Sequence, residues 1–131
     1  MSHRMKQLLA TLMLINAVLL ILGAVQHAGI ALGPFRQPPI LPATIVESIC
    51  ALALIWSAGA VLSGSPKAWL SALIGNLVAI AGVTLGIVAL ALRAGPRTAS
   101  NDLSHRIMLA LAAASLVILF LPGERTALKR R

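Results

Sequence analysis

The chain has 131 residues, of which 59% are apolar and only 11% charged, with a mean hydropathy of +0.94, against about 25% charged residues in an ordinary soluble domain. That composition excludes a water-soluble body and leaves one membrane domain, residues 1–131, because the longest polar stretch, Gly95 to Arg106, is too short to fold alone. The net charge of +8 comes from eleven Lys and Arg standing mostly at the edges of apolar runs, where they meet lipid headgroups; this excludes nucleic acid as a partner, and a single cysteine, Cys50, excludes two-cysteine redox chemistry.

The first predicted span is Leu8 to Leu32, preceded by the basic residues Arg4 and Lys6 and long enough for a hydrocarbon core of about 30 Å. It is expected to be retained, since Gly23 to Ala28 makes a poor signal-peptidase site. Asn16, Leu20, Gly23 and His27 recur at helical spacing and share one face. The loop Gly33 to Pro39, with Pro34, Pro38 and Pro39, reads as a stiff hairpin.

The second span is Ile40 to Leu62, with Pro42 tolerated in its first turn. Ala43, Glu47, Cys50, Ala51, Leu54 and Ala58 line one face of it. After the turn SGSPKA, flanked by Trp56 and Trp69, the third span runs from Trp69 to Leu92, tryptophan being at home in the membrane interface. Gly75, Ala79, Gly82 and Gly86 form a small-residue ridge that permits close packing within the chain or between copies. Asn76 borders this ridge, and its depth suits a hydrogen bond with Asn16 across the bundle. The fourth span, 103–121, is the shortest in apolar residues; Ser100 or Asn101 is the expected N-cap and Asp102 complements the positive helix end. Pro122 and Gly123 stop it, and a basic tail follows.

With both termini inside, seven Lys and Arg fall on the inner side and four, Arg36, Arg93, Arg97 and Arg106, on the outer. The excess predicts an all-α, four-helix transmembrane bundle, up-down-up-down, with cytoplasmic termini. His27, Glu47, Asp102, His105 and Arg106 then share its outer half. Glu47 lies about 10 Å inside its span by the helical rise. A carboxylate at that depth is paired, protonated or facing a wet cavity. Three readings stay open: a structural carboxyl bonded to His27, Arg106 or the hydroxyl of Thr44 or Thr84, a proton or ligand site formed with His27, His105, Asp102 and Arg106, and a place at a contact with another protein. Imidazole and carboxylate suit zinc or iron, but no HxxxH spacing supports a metal, so neither metal nor cofactor is expected, and no catalytic constellation is legible.

The runs GAVQHAGIALG, PATIVESICALAL and GPRTASNDLSHRIMLAL resemble small bacterial four-helix membrane proteins of the DoxX-like group, in which a glutamate is similarly placed near the start of the second span. The resemblance implies an accessory role in a membrane assembly and carries over only Glu47. The expectation is therefore a non-enzymatic, multi-pass protein of the bacterial inner membrane, stabilising other membrane subunits or a homo-oligomer. The alternatives are a small proton-coupled transporter or channel using Glu47, and a redox or metal-cofactor protein.

Overall fold

A computed structural model describes residues 3–34, 38–95 and 97–121. They form four helices, α1 (His3–His27), α2 (Leu41–Leu62), α3 (Ala68–Ala91) and α4 (Ala99–Phe120). Each has 22 to 25 residues and is apolar enough to cross a membrane, and at 1.5 Å per residue each exceeds a hydrocarbon core of about 30 Å. The predicted stop at Pro122 and Gly123, the basic tail and Arg36 lie outside the described residues.

Helix α1 lies five residues nearer the N-terminus than the predicted 8–32 at both ends, because polarity at His3 to Gln7 does not prevent helix while Gly29 ends it. Gly29 has φ +86°, and the amides of Gly29 and Ile30 bond back to the carbonyls of Gln26 (2.9 Å) and Val25 (3.2 Å). This is the Schellman arrangement, whose left-handed residue is normally glycine. Helix α2 ends the same way at Gly64. Helix α3 does so at Arg93, a non-glycine residue at φ 60°, with the amides of Arg93 and Ala94 bonded to Leu90 and Ala89.

Helix α4 starts four residues before the predicted 103, and its cap is Thr98, not Ser100 or Asn101. The Thr98 hydroxyl accepts the Asn101 amide at 3.2 Å from an extended backbone, the geometry of an N-cap bonded to N3. One further turn gives α4 its full length, and Asp102 sits in that first turn as expected.

Packing follows the order α1 on α2, α2 on α3, α3 on α4 and α4 back on α1. Large aliphatic side chains such as Leu22, Ile49, Leu77, Leu103 and Val117 face outward, whereas Asn16, His27, Glu47, Ser57, Ser71, Asn76, His105 and Ser115 are buried. Lipid chains are as apolar as leucine, so close packing and polar contacts, rather than burial of apolar area, hold such helices together. The ridge of α3 packs inside the chain. Gly75 lies on the Ser57 side chain and Gly82 on the Cys50 sulfur, both on α2, while Gly86 lies on His105 of α4. The Ser57 hydroxyl also donates to the Ser71 carbonyl at 2.7 Å. At the start of α3, Trp69 Nε1 donates to the Leu119 carbonyl at 3.2 Å, and its ring meets Phe120 edge to face.

The expected bond between Asn16 and Asn76 is not formed. Asn16 Nδ2 donates to the Met108 carbonyl of α4 at 3.2 Å, and Asn76 Nδ2 turns back to the Ala72 carbonyl of its own helix at 2.8 Å. Each amide finds a carbonyl acceptor before it finds the other amide.

Candidate functional site

The end of α1 and the start of α2 are tied by the Ile40 amide, which donates to the His27 carbonyl at 2.7 Å. Helical side chains lean toward their own N-terminus. His27, the last residue of α1, therefore leans back into the bundle, while Glu47, two turns into α2, leans toward it. They meet at 2.7 Å between Nδ1 and Oε2, with His27 5% and Glu47 8% exposed. Gly23, one turn before His27, makes room for the carboxylate. A Cβ there would stand 2.8 and 2.9 Å from the two carboxylate oxygens.

The pair lies on the wall of a cavity of about 220 Å³. Most of the remaining lining is apolar, including Leu20, Val46, Val83, Leu85 and Leu90. Helices α2 and α3 supply two of its sides, and α1 and α4 the back. His105 faces it from α4 and is 6% exposed. Its Nε2 lies against Gly86, where a Cβ would come within 2.8 Å, and the ring bonds to the backbone of Asn101, one turn earlier on α4. Asn101, one turn before His105, also lines the cavity, as does Cys50, whose thiol donates to the Val78 carbonyl at 3.4 Å.

Three of the five predicted site residues thus share one cavity, and two do not. Asp102, in the first turn of α4, accepts from Nε of Arg97 in the preceding loop, at 3.0 and 3.3 Å to its two carboxylate oxygens, at the surface. Arg106 is exposed and does not line the cavity. Of the partners open to Glu47 from sequence, His27 is the one bonded to it; Thr44 donates to the Ile40 carbonyl, and Thr84 is exposed. Gly23 and Cys50 were not singled out as site residues in the sequence. Gly23 was legible only through its position four residues before His27, on the same face.

Among the described residues no three of His, Cys, Asp and Glu converge in a group able to hold a metal ion. At 2.7 Å a proton must lie between Nδ1 and Oε2, because two bare acceptors do not approach so closely. With a second proton on the pair, at Nε2, it is neutral; without that proton it carries a negative charge inside an apolar wall.

Comparison of the chain with protein-family models, with curated proteins and with solved structures finds no match.

Proposed function

We propose that this is a small multi-pass membrane protein that binds, in the cavity between α2 and α3, a molecule with an apolar body and a cationic head, and releases a proton from the His27–Glu47 pair as it does so. The observation that carries the reading is the pair itself: an imidazole and a carboxyl 2.7 Å apart, both buried, on the wall of a mostly apolar cavity. Buried ionisable groups in a membrane are expensive, and they mark ligand or proton pathways often enough to make this the leading reading. In this reading the helices run up-down-up-down in a bacterial plasma membrane with cytoplasmic termini, and the cavity belongs to the outer half. The mode of action is exchange of a proton for the ligand, as in a small transporter, with the hydrogen-bonded His27–Glu47 pair as the exchanging acid, its charge carried by Glu47, and His105 facing the head from across the cavity.

The test is proton release. Purified protein in weakly buffered detergent, mixed with benzyltrimethylammonium, is expected to bind it and to release about one proton per bound cation, the charge balance that avoids an unpaired buried charge; Glu47→Gln abolishes the release. Absence of binding, or binding without release in the native protein, refutes the reading.

A second reading, an accessory subunit of the kind implied by the DoxX-like resemblance, is supported by a different face. Gly59 on α2 opens onto empty space beside the exposed Trp56, Ile55 and Leu62, a notch suited to a neighbouring helix. A protein that purifies alone and monomeric in mild detergent removes that support.

A further inference from the structure

The polar groups that line the cavity are unequal in what they offer a ligand. The Cys50 thiol is engaged, donating to the Val78 carbonyl. In the His27–Glu47 pair the contact with Nδ1 takes up Oε2 of the carboxyl, and Oε1 has no hydrogen-bond partner among the described residues. A carboxylate oxygen can only accept.

His105 supplies a second free acceptor. Its ring bonds to the backbone of Asn101, four residues earlier on α4. At that spacing a helix presents its carbonyl, which cannot donate, so the bonded ring nitrogen carries the hydrogen. Nδ1 is the nitrogen beside the main chain, while Nε2 is the ring atom nearest Gly86 of α3, and both His105 and Gly86 line the cavity. In the neutral ring Nε2 is therefore a bare lone pair. Among the described residues no hydrogen bond reaches it, although His105 is only 6% exposed. Glu47 and His27 are near enough to act electrostatically on this ring. The rest of the wall is apolar except for the half-buried Asn101, and no lysine or arginine is among the lining residues.

An anionic or carbonyl head would bring acceptors to acceptors. A quaternary ammonium ion brings charge but no hydrogen to donate. A protonated amine brings both.

We propose that the cavity selects protonated amines, with at least one N–H on the cationic head, over quaternary ammonium ions, and that this N–H is donated to Nε2 of His105. The inference rests on the cation-for-proton exchange proposed above and narrows the class of its ligand. The His27–Glu47 pair meets the charge once it has released its proton, and His105 sets the direction of the head. Hydrogen bonds from an ionised donor are shorter and stronger than neutral ones, and with a methyl group in the donor's place Nε2 stays unpaired.

The experiment compares two probes that differ by one methyl group, benzyltrimethylammonium and protonated benzyldimethylamine, by isothermal titration calorimetry on the whole chain in detergent micelles near neutral pH. The amine is expected to bind at least about tenfold more tightly, the contribution of one charge-assisted hydrogen bond. His105→Phe, which keeps a flat ring against Gly86, removes or reverses that preference. Equal affinities in the native protein, or a preference that survives in His105→Phe, overturn the proposal and leave the exchange reading standing. Where the variant fails to fold, the ¹⁵N resonance of His105 Nε2 in the native protein decides: it moves upfield with the amine and not with the quaternary ion, and equal shifts overturn the proposal. Proton release is counted with the quaternary ion, which has no proton of its own to lose. Failure of both cations to bind, or binding of that ion without release, refutes the exchange reading and the proposal with it.

Discussion

Replacing His27 by Leu removes the side chain bonded to the Glu47 carboxyl and leaves that carboxyl on an apolar wall, and its effect is best measured as one arm of a double-mutant cycle with Glu47→Leu. Two magnitudes bound the coupling. Hydrogen bonds between membrane helices average about 0.6 kcal/mol in such cycles and reach about 1.7, while those to charged groups in water-soluble proteins contribute about 1.5–3 kcal/mol. The 2.7 Å separation and the burial of both partners put this pair at the top of the membrane range, a coupling of about 1.5 kcal/mol. Each single variant is expected to lose about 2–3 kcal/mol, because it also strands the remaining polar partner. The double variant loses less than the sum, having no stranded group. Glu47→Gln, which keeps an acceptor oxygen for His27, loses less than Glu47→Leu. The assay is reversible unfolding in mixed micelles of dodecyl maltoside and sodium dodecyl sulfate, followed by circular dichroism and by the fluorescence of Trp56 and Trp69. Additive single effects, with a coupling under about 0.5 kcal/mol, refute the claim that the pair is a specific contact holding α1 on α2.

Gly82→Ala is expected to destabilise by about 1–3 kcal/mol, because its methyl overlaps the Cys50 sulfur and comes within 3.1 Å of Val46; adding Cys50→Ala recovers most of the loss in the same unfolding assay. Arg93→Gly is expected to raise stability by about 1 kcal/mol, since Arg93 ends α3 at φ 60°, where a side chain is strained and glycine is not; a lower unfolding midpoint contradicts that assignment. Asp102→Asn changes stability by less than about 1 kcal/mol, the ordinary scale of an exposed ion pair, and leaves proton release on binding benzyltrimethylammonium unchanged, because the Asp102–Arg97 contact lies on the surface away from the cavity.

The four helices were legible because each apolar run is long and is bounded by charge or by a Gly and Pro loop, and the inward turn of Glu47 because a carboxyl in lipid has few alternatives. Helix ends were less legible. Hydropathy marks the apolar run and not the helix, so α1 and α4 extend into polar residues, His3 to Gln7 and Ala99 to Asp102, that are helical without being apolar. The partition of the site residues was not legible either. Asp102 and His105 are three residues apart and lie on neighbouring rows of α4, yet one meets Arg97 at the surface and the other enters the cavity. Nothing in the hydrophobic pattern separates these rows, because the lipid face of the bundle is as apolar as its interior. The bond expected between Asn16 and Asn76 failed for a related reason. Depth along a helix follows from residue count, but the acceptor an amide selects depends on neighbouring backbone, which spacing does not disclose.

The position of the cavity follows from how the glycines of α3 are divided. Gly75 and Gly82, seven residues or about two turns apart, lie on one row and let α2 approach closely, at Ser57 and at Cys50. Gly86 is a further four residues on, turned by about 40° from Gly82 at 3.6 residues per turn, and lies against His105 of α4 instead. Beyond Gly82, therefore, the close approach of α3 passes from α2 to α4, and the space left between α2 and α3 is lined by Ala43, Val46, Ala89 and Leu90. The His27–Glu47 pair is seated there because Gly23 on α1 leaves the carboxylate its place. A methyl group at position 86 would meet the imidazole at 2.8 Å, closer than real Cβ contacts allow, so the ring would have to move. The missing side chain at Gly86 thus fixes both the seat of His105 and part of the room a ligand would occupy.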